Sequence, residues 1–311
     1  MFVSTALLAT TLFSPTIAAS TKLELKDGDR IVWIGNTLVE REQRFGYWES
    51  ALHAAFPDRR WTFRNLGWSG DTVFGDARAG FDSPARGYER LVSLTLELKP
   101  TVILVSYGAN ESFAGEAGLP RFEQGLNKLL DSLKPAHARI VLFSPAPTYA
   151  REIQPGNPDP KQRNAMIAMY SRAIERIAQQ RGLAFADLEK AIQSVYDHQS
   201  TNEKPGTQPA LTENGIHLTA AGYRATASAF LGSLGLSMGS APQSWDALQP
   251  LRNAIVEKNQ LFFYRWRPQN ETYLFGFRKH EQGKNAREVA EFDPLVGTVE
   301  GKIEKLRATL K

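Results

Sequence analysis

Arg30-Ile31-Val32-Trp33-Ile34-Gly35-Asn36-Thr37 is the stretch that decides the fold. Four consecutive large apolar residues, three of them β-branched, run straight into a glycine and a polar pair. An unbroken apolar run of this length reads as a strand buried on both faces that ends in a loop. The pattern recurs: Trp61–Leu66 leads into Gly67-Trp68-Ser69-Gly70-Asp71-Thr72, Thr101–Tyr107 into Gly108-Ala109-Asn110-Glu111, and Arg139–Phe143 into Ser144-Pro145-Ala146-Pro147. A shorter β-rich run follows at Leu183–Ala186. Between the strands, Phe45–Phe56, Tyr88–Leu98, Arg121–Leu133 and Gln162–Gln180 carry apolar residues at three-to-four spacing and read as helices. Pro57, Pro100 and Pro135 fall just past three of them, where a proline stops a helix rather than breaking it. Strand–helix alternation of this kind predicts an α/β fold, a three-layer α/β/α sandwich with a central parallel sheet. In an open parallel sheet ligands bind outside the carboxyl ends of the strands, so the four loops are expected to meet on one rim.

The 311 residues suffice for one large domain with an extension. The sandwich is expected to span residues 20–236. Beyond it the alternation stops: Ser237–Ser244 reads as a joint, Trp245–Tyr264 as a helix and Leu295–Leu310 as a final helix, giving a mainly helical C-terminal extension over 237–311 packed on the core. Between these helices lies an aromatic and basic stretch containing Arg267, Asn270, Glu271, Tyr273, Lys279 and His280. Its aromatic residues suit packing of the extension on the core, and its polar residues suit a reach over the rim to substrate. Leu251–Lys311 holds 12 Lys/Arg against 8 Asp/Glu, which accounts for the whole formal charge of +4. Charge so diluted reads as a mixed solvated surface, and no nucleic-acid partner is expected. The chain has no cysteine, which excludes disulfides, thiolate catalysis and Cys-ligated zinc. Phe2–Ile17 is mostly apolar and is followed by Ala18, Ala19 and Ser20. Residues 1–19 therefore read as a secretory signal, although no Lys or Arg precedes the apolar run, and a secreted or periplasmic location is expected. The run is too short and too interrupted for a stable membrane span.

The blocks Gly35-Asn36-Thr37, Asn65 to Thr72 with Gly70, Gly108-Ala109-Asn110-Glu111 and Asn214-Gly215-Ile216-His217, in this order and spacing, resemble those of the SGNH (GDSL-like) hydrolases over roughly Asp29 to Leu236. The resemblance implies the flavodoxin-like sandwich of that family and acyl transfer from an ester. It assigns Thr37 to the nucleophile position and His217 to the base. The backbone N–H groups of Thr37 and Gly70 and the side chain of Asn110 become the oxyanion donors. The chemistry explains the residue types: a hydroxyl is too weak an acid to attack an ester unaided, so a base takes its proton. Preset donors around the oxyanion are worth about 3–4 kcal/mol each. Asn36 and Trp68, beside the nucleophile and the glycine, are expected to touch substrate, as are Arg267 and Asn270.

Two positions depart from the family pattern. Threonine stands where the family has serine, adding a methyl and a stiffer first torsion. Asn214 stands where the family has the aspartate that orients the histidine. For a hydroxyl nucleophile that loss can cost about ten-thousandfold; Glu213, one residue earlier, is the nearest carboxylate able to replace it. Each residue also has a plainer reading: Thr37 as a helix cap, Gly70 and Asn110 as turn residues, His217 as a local packing or capping group. The expected function is an exported ester hydrolase removing short acyl groups, acetyl above all, from a carbohydrate or related small-molecule ester. The alternative is a catalytically inactive module of the same fold that binds carbohydrate or serves as an accessory protein. No cofactor or metal is expected: there is no His-x-x-x-His pair, and the Asp/Glu residues are scattered without liganding spacing.

Overall fold

The computed structural model describes residues 23–202, 209–238 and 244–310. The leader expected at 1–19 and most of the joint expected at 237–244 lie outside the described residues. Five strands, β1 (Asp29–Gly35), β2 (Trp61–Gly67), β3 (Val102–Ser106), β4 (Arg139–Phe143) and β5 (Ala184–Ala186), form one sheet in the order β2-β1-β3-β4-β5. Every neighbouring pair is parallel. All five coincide, to within a residue or two, with the strands expected from the sequence.

Side-chain alternation divides the core in two. Ile31 and Trp33 of β1, with Phe63, Val102, Leu104, Val141 and Phe143, point to one face; Val32 and Ile34, with Leu66, Ile103, Val105 and Leu142, point to the other. The first face is covered by α1 (Thr37–Phe45), α2 (Tyr47–Ala55), α6 (Leu188–Asn202) and α7 (Ala220–Ser233), and centres on rings of Trp33, Trp48, Phe143 and Phe230. The second is covered by α3 (Pro84–Glu97), α4 (Gly115–Leu133) and α5 (Pro160–Arg181). The α/β/α sandwich is thereby established.

The helix expected at Phe45–Phe56 is α2, and a separate helix, α1, precedes it. Gly46, at φ 66°, sits in the left-handed region and ends α1, its N–H donating to the Glu42 carbonyl (2.8 Å). It offers no side chain to cap α2, and Glu42 supplies the cap: its Oε1 accepts the N–H groups of Trp48 (2.7 Å) and Glu49 (3.2 Å). Helix α4 begins six residues before the expected Arg121 because Pro120 lies in an early turn, inside the helix. Helix α6 had no counterpart in the sequence reading.

The extension follows as α8 (Trp245–Trp266), two short helices α9 (Glu271–Leu274) and α10 (Lys279–Gln282), and α11 (Phe292–Ala308). Leu248, Leu251, Ala254, Ile255, Val299 and Ile303 pack together with Ala54 of α2. Lys258 of α8 is buried, with Nζ 2.7 Å from Glu49 Oε1 and donating to the Phe63 carbonyl (3.0 Å), while Asn259 Nδ2 donates to Glu49 Oε2 (3.1 Å). No helix among the described residues is long and apolar enough to cross a membrane.

Burial, reinforced by the charge of Glu49, pushes the Glu42 carboxyl from 4.5 up to about 8. An acid whose folded pKa is raised binds more protons folded than unfolded, so its contribution to stability is whole below pH 4.5 and is lost as pH rises towards 8. Glu42→Gln keeps an acceptor for the two N–H groups and removes the ionisation. Urea denaturation at pH 5 and pH 8.5 is expected to show a smaller loss of stability with rising pH in Glu42→Gln than in the wild type.

Candidate active site

Asn36 caps α1, its Oδ1 accepting the Leu38 N–H (3.2 Å). Thr37 is therefore the first residue of the helix and does not serve as its cap. It stands half-buried just past the carboxyl end of the inner strand β1, where its Oγ1 accepts the Gly70 N–H (3.2 Å). Thr37, Asn110 and His217 line one cavity of about 70 Å³, together with Asn36, Arg41 and Ser144. The four segments expected to converge do so.

Three carboxylates arrange the loops. Glu111 accepts N–H groups from Gly108 and Val73, both at 2.8 Å, tying the third loop to the second. Desolvation pushes this carboxyl up to about 7. Asp71 is fully buried, accepting from Arg78 Nε (2.6 Å) and from the Tyr107 hydroxyl (2.9 Å), and its carbonyl takes one amide hydrogen of Asn110 (2.7 Å). An amide has two hydrogens, so Asn110 keeps one for the cavity. Glu40, also buried, takes the Ser69 N–H (2.6 Å) and pairs with Arg267 (2.8 Å). None of Glu40, Arg41, Asp71, Arg78 or Glu111 had been assigned a role from sequence. The acidic residues of the second and third loops were the available signal, since an acid beside glycine-rich backbone is a natural acceptor for its N–H groups.

The histidine loop is held just as firmly. Gly215, at φ 84°, sits where an added Cβ would lie 3.0 Å from the Tyr149 carbonyl oxygen, and its own carbonyl accepts the Tyr149 N–H (2.7 Å). Asn214 reaches the ring, Nδ2 to His217 Nδ1 at 3.3 Å. Glu213 does not turn to the ring; it is exposed and forms an ion pair with Arg41, which also donates to the Leu218 carbonyl (3.2 Å). Burial first, then the charge of Arg41, lower the His217 pKa from its ordinary value against the opposing pull of Glu213, and so favour the neutral ring.

The residues expected to touch substrate divide. Asn36 lines the cavity; Trp68, Arg267 and Asn270 do not. The Arg267 guanidinium lies 3.6 Å from the centre of the Trp68 ring, and Trp266 meets the same ring edge-on at 5.8 Å. Trp68 and Arg267 instead line a neighbouring groove, stacked on each other, and Arg267 also braces the extension against Glu40. Asn270 donates to Gln282 (2.8 Å) within the extension.

The profile of the GDSL-like lipase/acylhydrolase family matches residues 28–225, and the chain belongs to that family. No curated protein matches it. Among solved structures, a catalytic mutant of an acetylxylan esterase from Geobacillus stearothermophilus superposes with a TM-score of 0.52 at 20% identity, covering 70% of this chain and 98% of that one. A gut microbial diltiazem-metabolizing enzyme gives a TM-score of 0.51 at 21% identity over 72% of this chain, which spans 49% of that protein's length. At such identities the likeness is one of fold.

Arg267→Ala removes both the stacking on Trp68 and the pairing with Glu40. A loss of about 1–2 kcal/mol is expected in chemical denaturation, with Arg267→Lys in between because lysine keeps the charge but not the planar stack.

Proposed function

We propose that this protein hydrolyses short acyl esters, acetyl esters foremost, carried on a carbohydrate. The reading rests on one observation: a hydroxyl, an imidazole and an amide donor line the same cavity, and the Gly70 N–H already lies on that hydroxyl. Its volume of about 70 Å³ is roughly twice a water molecule's share of the liquid, which suits an acetyl group and not a long acyl chain. In the proposed reaction Thr37 Oγ1 attacks the acyl carbon while its proton passes to His217. The Gly70 N–H turns from the hydroxyl to the oxyanion, joined by the free hydrogen of Asn110. The leaving alkoxide takes the proton back from His217, and water repeats the sequence to release the acid.

For the leaving group, the support comes from a groove of about 530 Å³ on the other side of the first turn of α1. Thr37 opens into the cavity, and Glu40, one turn on, lines the groove. At its mouth Phe81 (85% exposed) and Phe277 (73% exposed) meet edge-to-face, 6.1 Å between centres, beside Arg44, Gln269 and Thr272. Exposed rings flanked by hydrogen-bonding side chains are what a sugar ring packs against. The acetylxylan esterase with the same fold is consistent with that substrate class, although fold alone does not fix function. The second reading, a binding module without turnover, is favoured by one observation: the group facing His217 Nδ1 is an amide, not a carboxylate.

Hydrolysis of an aryl acetate by Thr37→Ala and by His217→Ala is expected to fall about a hundredfold, the lower end of what a general base contributes. Rates equal to wild type in both would leave the binding module. A second measurement addresses the sugar: Phe81→Ala and Phe277→Ala should raise KM for acetylated xylan several-fold while leaving aryl acetate hydrolysis unchanged. An equal effect on both substrates would remove the groove from the reading.

A further inference from the structure

An amide side chain has one accepting end and one donating end. At Asn214 the accepting end is occupied: Oδ1 takes the backbone N–H groups of Ile216 (3.1 Å) and His217 (3.0 Å). Turning the amide over would aim its NH2 at both of these donors, so the direction is fixed. The donating end therefore faces the ring, with Nδ2 at 3.3 Å from His217 Nδ1. Two donors cannot share a hydrogen bond, and Nδ1 must offer its lone pair. In a neutral imidazole the hydrogen is then on Nε2.

The loop leaves little freedom to escape this arrangement. The Asn214 carbonyl takes the Asn157 side-chain amide (3.0 Å), the Glu213 carbonyl that of Gln154 (2.8 Å), and the Gly215 carbonyl the Tyr149 N–H (2.7 Å). The nearest carboxylate able to reverse the ring's preference, Glu213, is paired with Arg41.

We propose that Asn214 is a positioning residue that holds the resting His217 with its hydrogen on Nε2, so that attack by Thr37 waits on removal of that hydrogen. The proposal rests on the esterase reading above. In the resting site Nε2 is a donor; Asn110 and His217 line the cavity with Thr37, whose hydroxyl already takes the Gly70 N–H. Such a site binds a carbonyl or carboxylate oxygen readily and activates a hydroxyl poorly. For Thr37 to lose its proton, the Nε2 hydrogen must first move, through solvent, to Nδ1, where it meets the NH2 of Asn214. The ring then has a lone pair at Nε2 for the hydroxyl proton, with no net change in charge. An aspartate at this position would keep an oxygen for the two backbone N–H groups and place a second oxygen on Nδ1–H.

The test uses the full chain with 15N-labelled histidine, wild type and Asn214→Asp, at a pH where the ring is neutral. Nitrogen chemical shifts of the His217 ring and aryl acetate hydrolysis are measured on the same samples. In the wild type, Nε2 is expected to be protonated and Nδ1 bare; in Asn214→Asp the hydrogen moves to Nδ1 and kcat rises at least tenfold, since a buried donor facing a donor is costly. A wild-type ring protonated on Nδ1 overturns the proposal without reference to activity. It also fails if Asn214→Asp moves the hydrogen and an active wild type is not outpaced. If the tautomers are as expected but neither protein hydrolyses any ester, the esterase reading has failed, and the assignment of the ring hydrogen stands.

Discussion

Backbone N–H groups drawn out of water at the edge of a sheet must find acceptors. At the carboxyl edge of this sheet two side-chain carboxylates accept three of them, and a third acid orders the side chains between. Glu111 gathers Gly108 and Val73, Glu40 gathers Ser69, and Asp71, fixed by Arg78 and Tyr107, presents its carbonyl to Asn110. Without them the loops after β1, β2 and β3 would each have to hydrate their own backbone and would separate. With them, Gly70 is brought onto the Thr37 hydroxyl and Asn110 to the cavity that Thr37 lines. Arrangement of donors before substrate arrives is the principal means by which an acyl-transfer site lowers its barrier.

How much of this could be read from the chain depends on the range of the interaction. The apolar runs at Ile31–Ile34 and Thr101–Tyr107 declare buried parallel strands because nearly every residue in them has to be apolar, whatever its neighbours. The rim was legible for a similar reason: topology alone sends every β-to-α loop of a parallel sheet to one edge. Local chemistry also predicts that a polar residue after the strand will cap the next helix. Only geometry shows that Asn36 does so and leaves Thr37 free to face the cavity.

What was not legible depends on contacts across long separations or on the direction of one group. That Trp68, beside Gly70, is stacked against Arg267 from the far end of the chain could not be read from either segment alone. The boundary between α1 and α2 was not legible: the helix expected from Phe45 runs across Gly46, and the cap that starts α2 comes from Glu42, four residues upstream of that glycine. The Asn214 amide is the sharpest case. Its identity was plain, but whether it meets the ring with oxygen or nitrogen is decided by two backbone N–H groups that no sequence pattern records.

The buried pair of Lys258 and Glu49 has a consequence for the evolution of this architecture. Glu49 belongs to the sandwich and Lys258 to the helices that follow it, and neither reaches water. A gene shortened before Trp245 would strip Glu49 of its lysine and leave it the imidazole of His53, 3.8 Å away, as its partner within the sandwich. The appended segment is therefore joined to the sandwich by charge as well as by packing, and a lineage that lost it would gain by replacing Glu49 with an uncharged residue.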